Sequence, residues 1–274
     1  MSSIFRDDLL AGKVALVTGG GTGIGAAIAR ELASLGARVV IASRKEESVR
    51  PAAEHMGVDW TLCDIRNRDR VTQVCAEIVN DKGSLDILVN NGGGQFFSPA
   101  EMIRPKGFDA VVATNLTGTW NMTRAAADAW MLANGGRIIN ITMLSERGFT
   151  GMAHSVAARS GVEAMSRTLA VEWANRNVLV NCVAPGYIAS SGLKRYPAEL
   201  GVLGMIKTCV PLKRLGTRDE VAWMVAYLAG PAGAYITGRT ITIDGGKELW
   251  GDLWPIPNPP DMPDAVPETD PWED

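Results

Sequence analysis

The sequence predicts an α/β fold: a doubly wound parallel sheet of about seven strands with helices on both faces. Apolar strand-like runs recur at 13–18, 38–42, 58–63, 86–90, 137–141, 178–183 and 240–243, mostly separated by longer segments of helical period. A glycine-rich loop stands directly between the first run and the first helical segment. The chain has 274 residues, 46% of them hydrophobic, enough to bury one large core. Residues 1–249 read as a single domain and 250–274 as a tail, because after Trp250 the composition turns to Pro, Asp and Glu, which builds no regular helix.

Taken in order, Lys13-Val-Ala-Leu-Val-Thr18 runs into Gly19-Gly-Gly-Thr-Gly23-Ile-Gly25. In a strand-loop-helix setting this is a Rossmann-type nucleotide cradle. Gly19 permits the tight turn, Gly23 lets backbone approach a pyrophosphate, and Gly25 lets the helix pack on the strand. The helix spans about 23–35, stops at Gly36, and turns Ile24, Ile28, Leu32 and Leu35 inward. The second strand ends Ala42-Ser43-Arg44-Lys45, without the acid that commonly meets the ribose 2′-hydroxyl of NAD. Arg44, with Lys45 beside it, instead suits the 2′-phosphate of NADP(H), which makes NAD(H) the less fitting cofactor. Further along, Thr217-Arg-Asp-Glu220 is a capping box that starts a helix through Leu228.

Net charge of −3 with no basic run argues against nucleic acid, and no apolar stretch is long enough to span a bilayer. The N-terminus lacks a basic region followed by an apolar block, so a cytoplasmic protein is expected. Cys63, Cys75, Cys182 and Cys209 lack metal-ligand spacing and disulfide density, and read as small buried residues. No metal is expected.

Thr18-Gly-x-x-x-Gly-x-Gly25, Asp64 after the third strand, Asn90-Asn91-Gly92-Gly93, Asn115, Pro185-Gly186 and Asp244-Gly-Gly246 together resemble the short-chain dehydrogenase/reductase family over about residues 10–247. The resemblance implies an NAD(P)(H)-dependent oxidoreductase. It places Thr18, Gly19, Gly21, Thr22, Gly23, Ile24 and Gly25 at the pyrophosphate and Ser43, Arg44 and Lys45 at the ribose. Asp64 and Ile65 then lie near adenine, Asn91, Gly92 and Gly93 along the dinucleotide, and Pro185, Gly186 and Ile188 beside nicotinamide, while Asn90 stabilises the central sheet.

The catalytic centre departs from that family. Its members carry a Ser after the fifth strand and Tyr-x-x-x-Lys on the next helix, where this chain has Met143 and Ser155-Val-Ala-Ala-Arg159. Ser155 and Arg159 are four apart and share a helix face. A serine hydroxyl is a far poorer acid than a phenol, and Arg does not release its proton, so protonating an alkoxide loses its donor. His154 has a suitable intrinsic pKa but points about 100 degrees away. Reducing an activated carbon-carbon double bond demands less, since donors need only stabilise an enolate while solvent supplies the α-proton.

The stretch His154-Ser-Val-Ala-Ala-Arg-Ser-Gly-Val162, Leu169-Ala-Val-Glu-Trp173, Pro185-Gly-Tyr-Ile-Ala-Ser-Ser-Gly192 and the Ser3-Ile-Phe-Arg6 start resemble the peroxisomal trans-2-enoyl-CoA reductase and citronellol/citronellal dehydrogenase-like branch. Gly161-Val-Glu-Ala-Met165 is shared with mitochondrial-type 2,4-dienoyl-CoA reductases. The expected substrate is an acyl-CoA or isoprenoid small molecule. An NADP(H)-dependent enoyl-thioester reductase leads, ahead of an alcohol/carbonyl dehydrogenase and of a catalytically weak nucleotide-binding protein acting through assembly.

The candidate catalytic set is Asn115, His154, Ser155 and Arg159, with Arg159 also clamping ribose and Asn115 holding a water or helix backbone. Glu163 and Arg167 read as an i,i+4 surface pair. Tyr187 through Gly216, with Leu193, Tyr196, Leu200, Leu203 and Met205, is the expected substrate lid, facing Gln95, Phe96 and Phe97. The helices at about 106–132 and 154–175, with Trp120, Trp130 and Trp173, carry more apolar residues than one sheet face needs. Family resemblance implies that they pair in a homotetramer or homodimer.

Overall fold

The structure is a computed structural model that describes residues 5–190, 204, 208–250 and 255–257. Its strands are β1 (Val14–Thr18), β2 (Arg38–Ser43), β3 (Asp59–Leu62), β4 (Ile87–Asn90), β5 (Gly136–Ile141), β6 (Val178–Pro185) and β7 (Thr240–Ile243). They form one parallel sheet in the order β3-β2-β1-β4-β5-β6-β7. Every strand expected from the apolar runs is present. The order reverses between β1 and β4, which opens a crevice at the carboxyl ends of those two strands.

The helices are α1 (Gly23–Ser34), α2 (Glu46–Met56), α3 (Arg68–Lys82), α4 (Pro105–Val112), α5 (Gly118–Ala126), α6 (Leu132–Asn134), α7 (Ala153–Glu172) and α8 (Arg218–Ala229). Strand period two sorts β1 cleanly between two cores. Ala15 and Val17 face α1 and α8, packing with Ile28, Leu32, Val221 and Val225. Val14 and Leu16 face the other layer, with Val74, Met122 and Leu169. Because both faces are covered, β1, β4 and β6 are buried at every position, which is why they read as continuous apolar runs.

The Thr217 capping box forms as its spacing predicts: Glu220 N donates to Thr217 Oγ1 at 3.1 Å and Thr217 N to Glu220 Oε2 at 2.7 Å. A buried polar relay crosses the sheet centre. Asn90 Nδ2 donates to Thr123 Oγ1 at 3.0 Å and to Asn140 Oδ1 at 2.8 Å, and Asn140 Nδ2 to Ser166 Oγ at 2.9 Å. These bonds tie β4 and β5 to α5 and α7, the structural role expected of Asn90.

Two expectations need correction. Trp173 closes the chain's own second core, and Trp120 and Trp130 pack against the same cluster, so these rings are not spare surface. The exposed apolar side chains of these helices are instead Phe108 and Val171. Glu163 forms no close ion pair with Arg167, whose charge still favours the carboxylate from a distance; the carboxylate turns inward and accepts from Thr142 Oγ1 at 2.9 Å, just past the end of β5. The apolar positions Leu193, Tyr196, Leu200, Leu203 and Met205 lie outside the described residues, as does most of the tail. Cys63, Cys75 and Cys182 are buried and Cys209 is half-buried, all as free thiols.

Candidate functional site

Thr18 ends β1 with its hydroxyl used three times. Oγ1 accepts from Asn91 N at 3.1 Å and Gly92 N at 2.9 Å, and donates to Val89 O at 3.3 Å. Asn91 Nδ2 returns bonds to Thr18 O at 3.0 Å and Gly19 O at 3.2 Å, so the chain leaving β4 is fastened to the glycine loop. Gly19 and Gly23 take left-handed φ of 65° and 56°. A side chain at Gly25 would collide with the Gly19 carbonyl oxygen, and one at Gly21 would crowd Ser48 O at 3.0 Å. Thr22 is the extended N-cap of α1 but makes no side-chain cap, and the first turn, with Ile24, holds no acid. The open N–H groups and helix dipole there suit a phosphate.

Beyond β2, Ser43 is half-buried while Arg44 and Lys45 are exposed. Lys45 lies 3.6 Å from Glu47, whereas Arg44 makes no ion pair among the described residues. Asp64 is gripped by Arg66, whose Nε and Nη2 donate to it at 2.9 and 2.6 Å. That bond holds the Asp64 carboxyl below its usual range, with Arg44 contributing a smaller lowering. Arg66 therefore stands among the residues expected at adenine, and sequence reasoning missed it. Its signal was an Arg two places after the Asp. Ile65 is buried against Gly118, and its carbonyl accepts from Asn121 Nδ2 at 2.9 Å.

The catalytic candidates gather around the loop after β4. Asn115 lies fully buried in a π turn (Ala113–Thr117) between α4 and α5. Its amide spans both backbone groups of one residue, donating to Gly94 O at 3.0 Å and accepting from Gly94 N at 2.9 Å. Asn115 thus clasps the loop after β4 where a water or helix backbone was expected. Arg159 is enclosed against Gly93, where any side chain would collide with its guanidinium, and its Nη1 donates to Ile141 O. Burial pushes the guanidinium down to about 10, so it is charged at neutral pH. It has no acidic partner among the described residues.

Ser155 is buried, with its Oγ donating to Gln95 Oε1 at 2.7 Å. His154 is buried too: Nδ1 accepts from Ser155 N at 2.9 Å, and Phe96 stands edge-on at 4.3 Å between ring centroids. Nδ1 being an acceptor, the neutral ring carries its hydrogen on Nε2, which is enclosed without a partner. The imidazole is thus sealed beneath Phe96. Met143, at the family's Ser position, is buried. Glu163, one turn beyond Arg159, is half-buried, and burial raises its carboxyl above the ordinary range.

On the far side, Gly186 N donates to Ile243 O at 2.9 Å and Pro185 ends β6. The Ile188 side chain is buried in the first core, leaving its backbone bridged to Gly216. A cleft of about 550 Å³ opens beside Tyr187, lined also by Leu144, Phe149, Arg147, Lys247 and Glu248. No group of His, Cys, Asp and Glu that could hold a metal occurs among the described residues, and no helix there is long and apolar enough to cross a membrane.

Comparisons with known proteins agree with this fold. A family model described as enoyl-(acyl carrier protein) reductase matches residues 19–248. The chain is 38% identical over 254 residues to a peroxisomal 2,4-dienoyl-CoA reductase of Pongo abelii, covering 90% of this chain and 87% of that protein. It is 35% identical over 247 residues to a probable 2,4-dienoyl-CoA reductase of Bacillus subtilis, covering 86% and 97%. Among solved structures, the citronellol catabolism dehydrogenase AtuB of Pseudomonas aeruginosa is 41% identical with a TM-score of 0.81, covering 90% of this chain and 99% of that one.

Proposed function

Because the chain belongs to the short-chain dehydrogenase/reductase family, we propose that it is an NADPH-dependent reductase of an α,β-unsaturated acyl or prenyl thioester. The nucleotide fits the residues present. Gly19, Gly23 and Gly25 leave backbone bare at a helix N-terminus, and Arg159 is a buried cation whose described partner is a carbonyl. Arg44 supports the choice of NADPH over NADH. When bound, the reduced nicotinamide supplies a hydride.

The observation that carries the reading is the bond from Ser155 to Gln95. Ser155 has one hydroxyl hydrogen and spends it on Gln95 Oε1, so the first turns of α7 offer no acid able to protonate an alkoxide. Gln95 is exposed, and with its oxygen occupied its Nε2 hydrogens are the donors left for a thioester oxygen. A preorganised amide of this kind stabilises negative charge growing on that oxygen. Arg159 contributes a fixed positive charge and N–H groups for ribose hydroxyls, Asn115 holds Gly94 and hence Gln95 in place, and water delivers the α-proton.

A second reading, interconversion of an alcohol and a carbonyl, is favoured by the 41% identity to the citronellol catabolism dehydrogenase. Turnover of crotonyl-CoA against citronellal, followed by NADPH oxidation, separates the two. Faster reduction of citronellal than of crotonyl-CoA overturns the enoyl reading.

A further inference from the structure

The cleft beside the nicotinamide position is lined by residues of two kinds. Leu144, Phe149 and Tyr187 are apolar, with the two rings tilted at 6.2 Å between centroids. Arg147, Lys247 and Glu248 are charged. Glu248 is already committed: its Oε1 accepts from Ser145 N at 3.1 Å and Glu146 N at 2.9 Å, which pins the loop after β7 to the loop after β5. The cations are not committed in that way. Arg147 is fixed by one bond, from Nη1 to Trp250 O, which leaves the remaining guanidinium hydrogens available. Trp250 is itself held by Lys213, whose ammonium lies 4.7 Å from its ring centroid. Lys247 is half-buried and makes no ion pair among the described residues.

An uncharged acyl chain gives no compensation for drawing a half-buried ammonium out of water. An oxyanion at the end of such a chain does, through charge-assisted bonds to Lys247 and the Arg147 fork. We propose that this cleft is a subsite for the charged end of the substrate, an oxyanion one short chain away from the reacting double bond, held between Arg147 and Lys247. Two sources carry that chemistry: the phosphates of the thioester carrier, or a carboxylate at the far end of the acyl chain. The proposal rests on the enoyl-thioester reading.

The test uses 2-hexenoyl and 2-hexenedioyl groups, each as a CoA and as a pantetheine thioester, with the parent and an Arg147→Gln/Lys247→Gln variant. Cofactor affinity and thermal melting check that the variant folds. Two charged contacts predict a KM for the anionic substrate raised about tenfold or more relative to the uncharged 2-hexenoyl-pantetheine. An effect that follows CoA over pantetheine assigns the subsite to phosphate, and one that follows hexenedioyl over hexenoyl assigns it to carboxylate. Equal treatment of all four substrates by the variant overturns the subsite while leaving the reductase reading intact. A parent that binds NADPH yet reduces none of the four overturns the reductase reading and the subsite with it.

Discussion

Ser155 Oγ lies 2.7 Å from Gln95 Oε1, and this contact divides labour between a buried hydroxyl and an exposed amide. The serine sets which way the amide faces. Gln95→Ala should lower kcat on crotonyl-CoA about 10- to 100-fold with little change in NADPH affinity. Ser155→Ala, which frees the amide to flip, should cost less, and the double variant should be no slower than Gln95→Ala alone. Full multiplicative loss in the double variant would show that the two act separately.

Arg159 is an enclosed cation, and its pKa gives the sign of a stability effect. Its folded value of about 10 lies below the ordinary guanidinium range, so the unfolded chain binds the proton more tightly. The charge therefore opposes folding at neutral pH. Arg159→Met should raise the Tm of the unliganded protein, by about 1–3 kcal/mol of stability, while weakening NADPH binding. Calorimetry and fluorescence titration read the two effects; a lower Tm would show that the guanidinium already has full compensation.

Cofactor choice should rest on Arg44. NADPH should bind more tightly than NADH, and Arg44→Ala should remove most of a roughly 10- to 150-fold difference. Arg66→Ala should reduce it less, because Arg66 is already engaged with Asp64. Equal dissociation constants for both cofactors in the parent would sink the assignment.

Glu163 supplies a test in the opposite pH range. Burial raises its folded pKa above 4.5, so the native state holds that proton more tightly and the group's contribution to stability falls as pH rises through the raised value. Glu163→Gln keeps an acceptor for Thr142 Oγ1 and removes the charge. The variant should melt higher than the parent at neutral pH, with the difference vanishing as pH drops below about 4.5. Melting curves at pH 4 and pH 7 decide it.

Assembly should show as a dimer or tetramer by light scattering at micromolar concentration. Val171→Glu, at a position 80% exposed on α7, should shift the distribution toward monomer. A monomeric parent would leave Phe108 and Val171 as ordinary surface residues.

The central strands β1, β4 and β6 were legible because, covered on both faces, they read as unbroken apolar runs, and the glycine loop because Gly25 and its neighbours have no room for side chains. The pairing of Asn115 with Gly94, and the orientation of Glu163 toward Thr142, depend on which way one residue of a turn or helix faces. Spacing alone assigns Glu163 and Arg167 to one helix face without saying that Thr142 lies on the other side of it. The edge contact of Phe96 on His154 joins two elements far apart in sequence, so spacing alone did not show it. Arg66 was missed because no spacing rule assigns a role to a cation two places after Asp64.

Gly93 carries nothing where Arg159 and Asn115 lie, so bare backbone there lets a buried cation and the amide that clasps Gly94 share one corner. A Cβ at 93 would run into the guanidinium and stand 2.8 Å from Asn115 Oδ1. A single methyl group would therefore press on the cation and on the clasp of the Gly94 loop at once.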